Sequence, residues 1–316
     1  MAVFIGTSGW SYPTGRGTWN GIFYPPADRR GRAFDELGFY AERFNTVEVN
    51  STFYGQPRPQ VSLGWANRTP PGFEFSIKLY QKFTHPRMTS GTRRNLARAR
   101  ASDGDQTVSL TDVDEFKAGI DPLARAGKLG ALLAQFPASF KDTPEARDYV
   151  RWLLQTFRDY PVTLELRHRS WSDDPHEILD VLNEYGAAWT QIDEPKFRSS
   201  IRQDLMPNVK TFYYLRLHGR NAEQWWAHEK SEDRYNYLYS ENELKPFAEV
   251  VKNARAQVKK LYAYLNNHFA AQAVADATVL RHLLDEPVTA PMPVELVERY
   301  PMLEGKVATL PPSRLL

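Results

Sequence analysis

Cysteine is missing from all 316 residues. That removes disulfides, thiolate zinc sites, iron–sulfur clusters and thiol nucleophiles together. Long apolar runs are missing as well: nothing approaches the roughly 18 to 20 apolar residues that a membrane span needs. The opening MAVFIGTSGW enters a strand pattern at once, without the basic-then-apolar layout of a secretory leader, so the expectation is a soluble cytoplasmic protein. Net charge is small, with 40 Lys and Arg against 38 Asp and Glu. Binding to nucleic acid by phosphate neutralisation usually goes with a stronger basic bias. Gly-x-Gly-x-x-Gly, P-loop and Gly-x-Ser-x-Gly motifs are also missing, which speaks against nucleotide-cofactor enzymes and α/β-hydrolases.

What the chain does have is aromatics (17 Phe, 16 Tyr and 8 Trp) and a steady alternation of short β-rich runs with longer helical patterns. Strands are expected at residues 3–6, 46–50, 73–78, 129–135, 162–167, 188–193, 211–218 and 261–266. Helical spacing fills 35–44, 144–157, 175–185 and 244–260. Pro144 and Pro175 sit where a first helical turn tolerates proline, and Gly186 is a stop signal. Eight strands, each followed by a helix, predict a single (β/α)8 TIM-like barrel rather than an open doubly wound sheet. One domain is expected over 1–316, with 287–316 as a proline-rich tail wrapping the barrel exterior. Long connections follow strands 3 and 7. The first, 84–120, carries the basic run Arg93, Arg94, Arg98 and Arg100. The second, 219–240, carries Trp225, Trp226, Tyr235, Tyr237 and Tyr239, an aromatic content that suits a lid better than a disordered excursion.

The two-residue period of each strand sorts its side chains by face. Glu48 and Asn50 share a face, as do Glu74, Ser76 and Lys78. Glu165 pairs with Arg167, Gln191 with Asp193, and Tyr214 and Arg216 with His218. Tyr262, Tyr264, Asn266 and His268 share the last face. The polar groups crowd toward the strands' C-terminal ends, where barrel enzymes build their sites. Unpaired charges inside a barrel are costly, yet this set is nearly balanced between Glu48, Glu165 and Asp193 and Lys78, Arg167 and Arg216. A polar, charge-compensated cavity is therefore expected at the C-terminal mouth. The competing explanation, an internal ion-pair network that only fixes strand register, is weaker for a set spread over six strands.

The segments IGTSGWSY (5–12), FYPP (23–26), FNTVEVNSTFYG (44–55), FEFSIKLYQKFTH (73–85), LLAQFPASF (132–140), LELRHRSW (164–171), YYLRLHGRN (213–221) and YLNNHF (264–269) occur in order along the chain. With them the sequence resembles the DUF72 (YecE-like) family over nearly its whole length. The resemblance implies a TIM-barrel-like fold and no particular reaction. Residues 93–113 and the proline-rich tail are the least typical parts.

The leading functional reading is an enzyme, of hydrolase or lyase type, acting on a phosphorylated or otherwise anionic small molecule. Glu48, Glu165 and His218 are the catalytic candidates for proton transfer. Lys78, Arg167 and Arg216 are the anion binders, and Asn50, Tyr54, Trp171, Asp193 and Asn266 complete the substrate-binding set. Trp10 and Phe53, in loops at the same mouth, would join Tyr54 and Trp171 in stacking a ring. This reading assigns no cofactor and no metal. A second reading places a divalent metal among Glu48, Glu165, Asp193, His218 and His268 for phosphoester or sugar chemistry, against which stand the neighbouring cations. A third is a non-catalytic nucleic-acid or nucleotide-binding module, with aromatics and basic residues along a groove. Residues 6–9 would either offer backbone donors to an anion or simply turn the chain. His85 and His168 are expected to be structural, and no membrane partner is expected.

Overall fold

In the computed structural model the described residues are 2–26, 28, 34–85, 108–225 and 232–310. The basic run from Arg93 to Arg100, Trp226 and residues 311–316 lie outside them. Nine parallel strands build the central sheet: β1 (Ala2–Ser8), β2 (Thr46–Val49), β3 (Glu74–Lys78), β4 (Leu129–Gln135), β5 (Val162–Glu165), β6 (Ala188–Trp189), β7 (Gln191–Asp193), β8 (Phe212–Leu217) and β9 (Lys260–Leu265). Their order is β6-β5-β4-β3-β2-β1-β9-β8-β7. Since β6 and β7 are successive pieces of one wall segment, the two ends of the sheet meet, and the fold is a TIM-like α/β barrel.

The break between β6 and β7 falls at Thr190, where the segment changes partner from β5 to β8. Gln203 closes the gap: its side-chain amide donates to Thr190 O (2.8 Å) and its carbonyl accepts from Ile192 N (3.1 Å). A side chain thus supplies the ladder partners that the divided strand lacks.

Helix starts follow local chemistry. Thr143 caps Pro144–Thr156. Ser109 with Asp112, and Ser240 with Glu243, form reciprocal capping boxes that start Leu110–Arg125 and Glu241–Arg255. The second box moves that helix three residues ahead of the apolar pattern that begins at Leu244. Leu153, Leu154, Val181, Leu182, Phe247 and Val251 are buried in the layer between barrel and helices. In the tail, Met292–Pro293 pairs with Thr309–Leu310, and Tyr300 Oη donates to Ala270 O (2.6 Å), which fastens this segment to the loop after β9.

The barrel interior changes character from bottom to top. Phe4, Phe212, Tyr214, Tyr262 and Tyr264 form an aromatic plug with Ala131 and Leu133. Above it Tyr264 Oη meets Thr46 Oγ1 (2.6 Å) and Ser76 Oγ (2.9 Å), and Thr163 meets Thr190 (2.7 Å). Glu74, at the start of β3, is held at the bottom by Tyr262 (2.5 Å) and Lys260 (2.6 Å), whereas Glu48, Glu165 and Arg216 lie above these hydroxyls toward the strands' C-terminal ends.

Candidate functional site

The top layer is organised by one guanidinium. Arg216, on β8 and 1% exposed, donates from Nη2 to Glu48 Oε1 (2.7 Å) and from Nη1 to Glu165 and to Gln135 Oε1 (3.0 Å). Tyr214 Oη takes the other Glu48 oxygen (2.8 Å). Burial alone would raise the Glu165 carboxyl, but Arg216 and Arg167 outweigh it and hold its pKa well below the usual carboxylate range. Glu165 therefore stays ionised and serves as an electrostatic fixture.

Arg167 follows β5 and donates from Nε to Glu165 Oε1 (2.7 Å). Its Nη1 is 3.6 Å from Glu194 Oε2, beyond hydrogen-bond reach. That Glu194 oxygen is buried and has no hydrogen-bond partner among the described residues. Burial, opposed by Arg167 and reinforced by Glu165, raises the Glu194 carboxyl. His218 lies between the two arginines, with Nε2 at 3.3 Å from Arg167 and 3.4 Å from Arg216. Burial first, and the two guanidinium charges with it, overcome the pull of Glu165 and push its pKa down to about 3. The imidazole is thus neutral near pH 7, and Asn266 holds its Nδ1 at 2.8 Å.

Lys78 ends β3 on the same inner side. Its Nζ lies 4.3 Å from the Phe53 ring, and among the described residues it forms no ion pair or hydrogen bond through its side chain. Burial, then the charge of Arg216, lowers its pKa to about 7. Asn50, at the end of β2, keeps its Oδ1 buried and without a partner among the described residues.

Aromatics roof the cluster. The Trp225 ring meets His218 edge-on at 6.4 Å and Tyr235 at 6.5 Å, and Tyr235 rests on His268 (4.9 Å), which stacks on Tyr12 (4.2 Å). The loop after β9 that carries His268 continues into Ala270 and Ala271, both at positive φ (49° and 64°). Such strain in non-glycine residues persists only where surrounding contacts enforce it, here the bonds from Ala270 N to Gly17 O (3.0 Å) and from Tyr300 to Ala270 O (2.6 Å).

The structure brings Glu48, Asn50, Lys78, Glu165, Arg167, Arg216, His218 and Asn266 to one mouth. Tyr54 stands at its rim, 77% exposed. Trp171 does not join them. It is fully buried, donates from Nε1 to Phe140 O (2.8 Å) and stacks on Phe140, so it packs the core instead of offering a ring to a ligand. Asp193 is also elsewhere. The register pairs Ile192 with Arg216 and Asp193 with Leu217, which puts Ile192, not Asp193, on the inward side. Asp193 instead accepts from Arg220 (2.8 and 3.0 Å) and Tyr239 (2.7 Å), tying down the loop after β8. The inward carboxylate of this segment is Glu194, one residue on, because a one-residue change of parity moves every side chain to the other face. Glu48, Glu165 and His218 of the metal reading meet around Arg216, but among the described residues no group of three or more His, Asp or Glu could hold an ion. Glycines 6 and 9 have structural duties: a Cβ on Gly6 would stand 2.1 Å from Thr46 O, and Gly9 turns at φ 88°.

Sequence reasoning passed over Gln135 and Glu194, and expected His85 to be structural. Gln135 ends β4 on the interior parity of Leu133, a signal open to strand-face sorting. His85 packs on Phe53 (5.0 Å), and partial burial with the charges of Lys78 and Arg167 lowers its pKa.

Comparison with known proteins adds a family and a fold. The model of DUF72, described as a protein of unknown function, matches residues 4–297. UPF0759 protein YunF of Bacillus subtilis is 27% identical over 290 residues, covering 90% of this chain and 95% of YunF. UPF0759 protein YecE of Escherichia coli K12 is 28% identical over 138 residues, covering 44% of this chain and 39% of YecE. Among solved structures, a DUF72 family protein from Thermotoga maritima superposes with TM-score 0.72 at 30% identity, covering 90% of this chain and all of that one. One from Enterococcus faecalis has TM-score 0.72 at 22% identity, with 90% and 95% covered, and shows the same fold.

Proposed function

The chain belongs to the DUF72 family, and from that premise we propose that it is an enzyme, of lyase or hydrolase type, acting on a phosphorylated or otherwise anionic small molecule at the C-terminal mouth of the barrel. The observation that carries this reading is a division of labour among three cations. Arg216 is consumed by Glu48, Glu165 and Gln135, whereas Lys78 has no carboxylate partner among the described residues and Arg167 keeps Nη1 out of hydrogen-bond reach of Glu194. Two cationic donors are therefore left for an anion at the open end, while the paired charges below keep the strands in place. Asn50 Oδ1 adds an acceptor for a substrate hydroxyl. Glu194, whose pKa is raised, is better suited than Glu165, whose pKa is lowered, to give and take a proton. Glu48, Glu165 and His218 then act as the charged and polar frame that holds Arg167 and Arg216.

The test is thermal unfolding with inorganic phosphate, sugar phosphates and small carboxylates, in the wild type and in Lys78→Met. A ligand that binds only the folded state raises the Tm by mass action. Stabilisation that Lys78→Met removes is the expected result. Equal stabilisation of both proteins would overturn the reading, as would stabilisation only by oligonucleotides that fades with added salt.

A further inference from the structure

Lys78 has an environment that a simple anion clamp does not require. Its backbone is fixed at the end of β3, where Thr52 Oγ1 donates to Lys78 O (2.6 Å). Its side chain is half-buried against Phe53, with Nζ 4.3 Å from the ring. Arg167 and Arg216, drawn in by Glu165, add positive charge nearby without offering an acceptor. Burial against an apolar ring and the charges of Arg216 and Arg167 outweigh the pull of Glu165 and Glu48, which Arg216 and Arg167 already engage, and favour a free amine. The lowered pKa of about 7 agrees with that arrangement.

We propose that Lys78 is a nucleophile that forms an imine with the carbonyl carbon of a small anionic ketone or aldehyde. This inference rests on the anion-binding reading and narrows it to lyase chemistry on a carbonyl substrate. The Nζ lone pair adds to the carbonyl carbon, the C=O π pair moves to oxygen, and a proton passes from nitrogen to that oxygen to give a carbinolamine. A second proton, taken up from Glu194 or solvent, converts the hydroxyl to leaving water. The C–O bond breaks, a C=N bond forms, and the products are a protonated imine and water. The iminium then draws electrons from an adjacent C–H or C–C bond, whose proton passes to Glu194 or solvent or whose other carbon leaves as a carbonyl fragment, giving an enamine; a proton taken up at carbon restores the iminium, and water adds to it to release the ketone or aldehyde product and regenerate the amine. Arg167 Nη1 is left to hold the substrate's carboxylate or phosphate, since its other nitrogens face Glu165.

The experiment uses the full chain with pyruvate and, separately, dihydroxyacetone phosphate, each in the presence of sodium borohydride, followed by intact mass and peptide mapping. The expected result is one reduced adduct on Lys78 with at least one of the two ketones, and none in Lys78→Arg whose cooperative melting shows that it folds. Absence of any Lys78 adduct with both ketones overturns the proposal, as does labelling spread over surface lysines to the same extent in the variant. A substrate-independent arm measures the acetylation rate of each lysine by acetic anhydride against pH. Lys78 is expected to be half-reactive near pH 7, and a profile matching ordinary surface lysines overturns the proposal. Phosphate stabilisation without trapping would sink the imine alone and leave Lys78 as an anion clamp. Absence of both would remove the anion reading as well.

Discussion

Arg216 Nη2 lies 2.7 Å from Glu48 Oε1, and the same guanidinium reaches Glu165 through Nη1, so one side chain from β8 ties together carboxylates from β2 and β5. All three residues are at most 1% exposed. Removing one partner of a buried ionic set leaves charge without compensation, which costs about 3–5 kcal/mol. Arg216→Ala should therefore lower the unfolding free energy by that order, and Glu48→Gln added to it should recover part of the loss. Urea denaturation of the single and double variants checks this. A loss below about 1 kcal/mol for Arg216→Ala would show that water or rearrangement replaces the guanidinium.

Acid should weaken the fold before Glu165 titrates. The His218 and His268 imidazoles are held down to about 3 and about 4, chiefly by burial. The folded state thus binds fewer protons than the unfolded chain below pH ~6.5. Stability is fully present above that value and falls as pH drops toward 4, by up to ~1.4 kcal/mol per pH unit for each histidine. Glu165, held low by its arginines, gives up its share further down, as pH falls through its folded pKa. Denaturant midpoints between pH 4 and 8 should show this slope, and His218→Asn should flatten it. Equal slopes for variant and wild type would contradict the neutral His218.

Glu194 faces the Nη1 end of Arg167, with Oε2 3.6 Å from Nη1. A carboxylate there competes with a bound anion for the same guanidinium. Glu194→Gln is expected to tighten phosphate binding on the order of threefold to tenfold near pH 7 and to flatten its pH dependence. Isothermal titration with phosphate measures both. Weaker binding in the variant would mean that Glu194 donates a hydrogen bond to the ligand.

Trp225 is 2% exposed, with its ring edge-on to His218 and the Arg234 guanidinium 5.4 Å above it. A ligand seated against His218 and Arg167 should move this ring and shift its emission. The difference between wild-type and Trp225→Phe fluorescence isolates that signal from the other tryptophans. An unchanged difference spectrum at saturating phosphate would show that the loop after β8 is a fixed wall and not a lid.

The barrel was legible in the chain because its signals are local. A strand with two different faces shows a two-residue period, a helix shows capping and apolar spacing, and eight repeats of the pair leave few ways to close a sheet. Leu129–Gln135 and the start of Pro144–Thr156 emerge where the pattern puts them. The crowding of Glu48, Lys78, Glu165, Arg216 and His218 at one end was legible for the same reason, since parity within a strand fixes which side chains share a side.

Tertiary structure decided the rest. Asp193 and Glu194 are adjacent carboxylates, and only pairing of Ile192 with Arg216 determines which of them faces inward. Trp171 looks like any aromatic at a strand end until Phe140 covers it. The lowered pKa of Lys78 depends on burial and on which cations, Arg216 of β8 and Arg167 after β5, come near it and which carboxylates they have already taken. Charge, parity and helix caps are properties of neighbouring residues and can be read along the chain. Partner choice, burial and pKa are properties of groups brought together from distant positions, and they exist only after the barrel has closed.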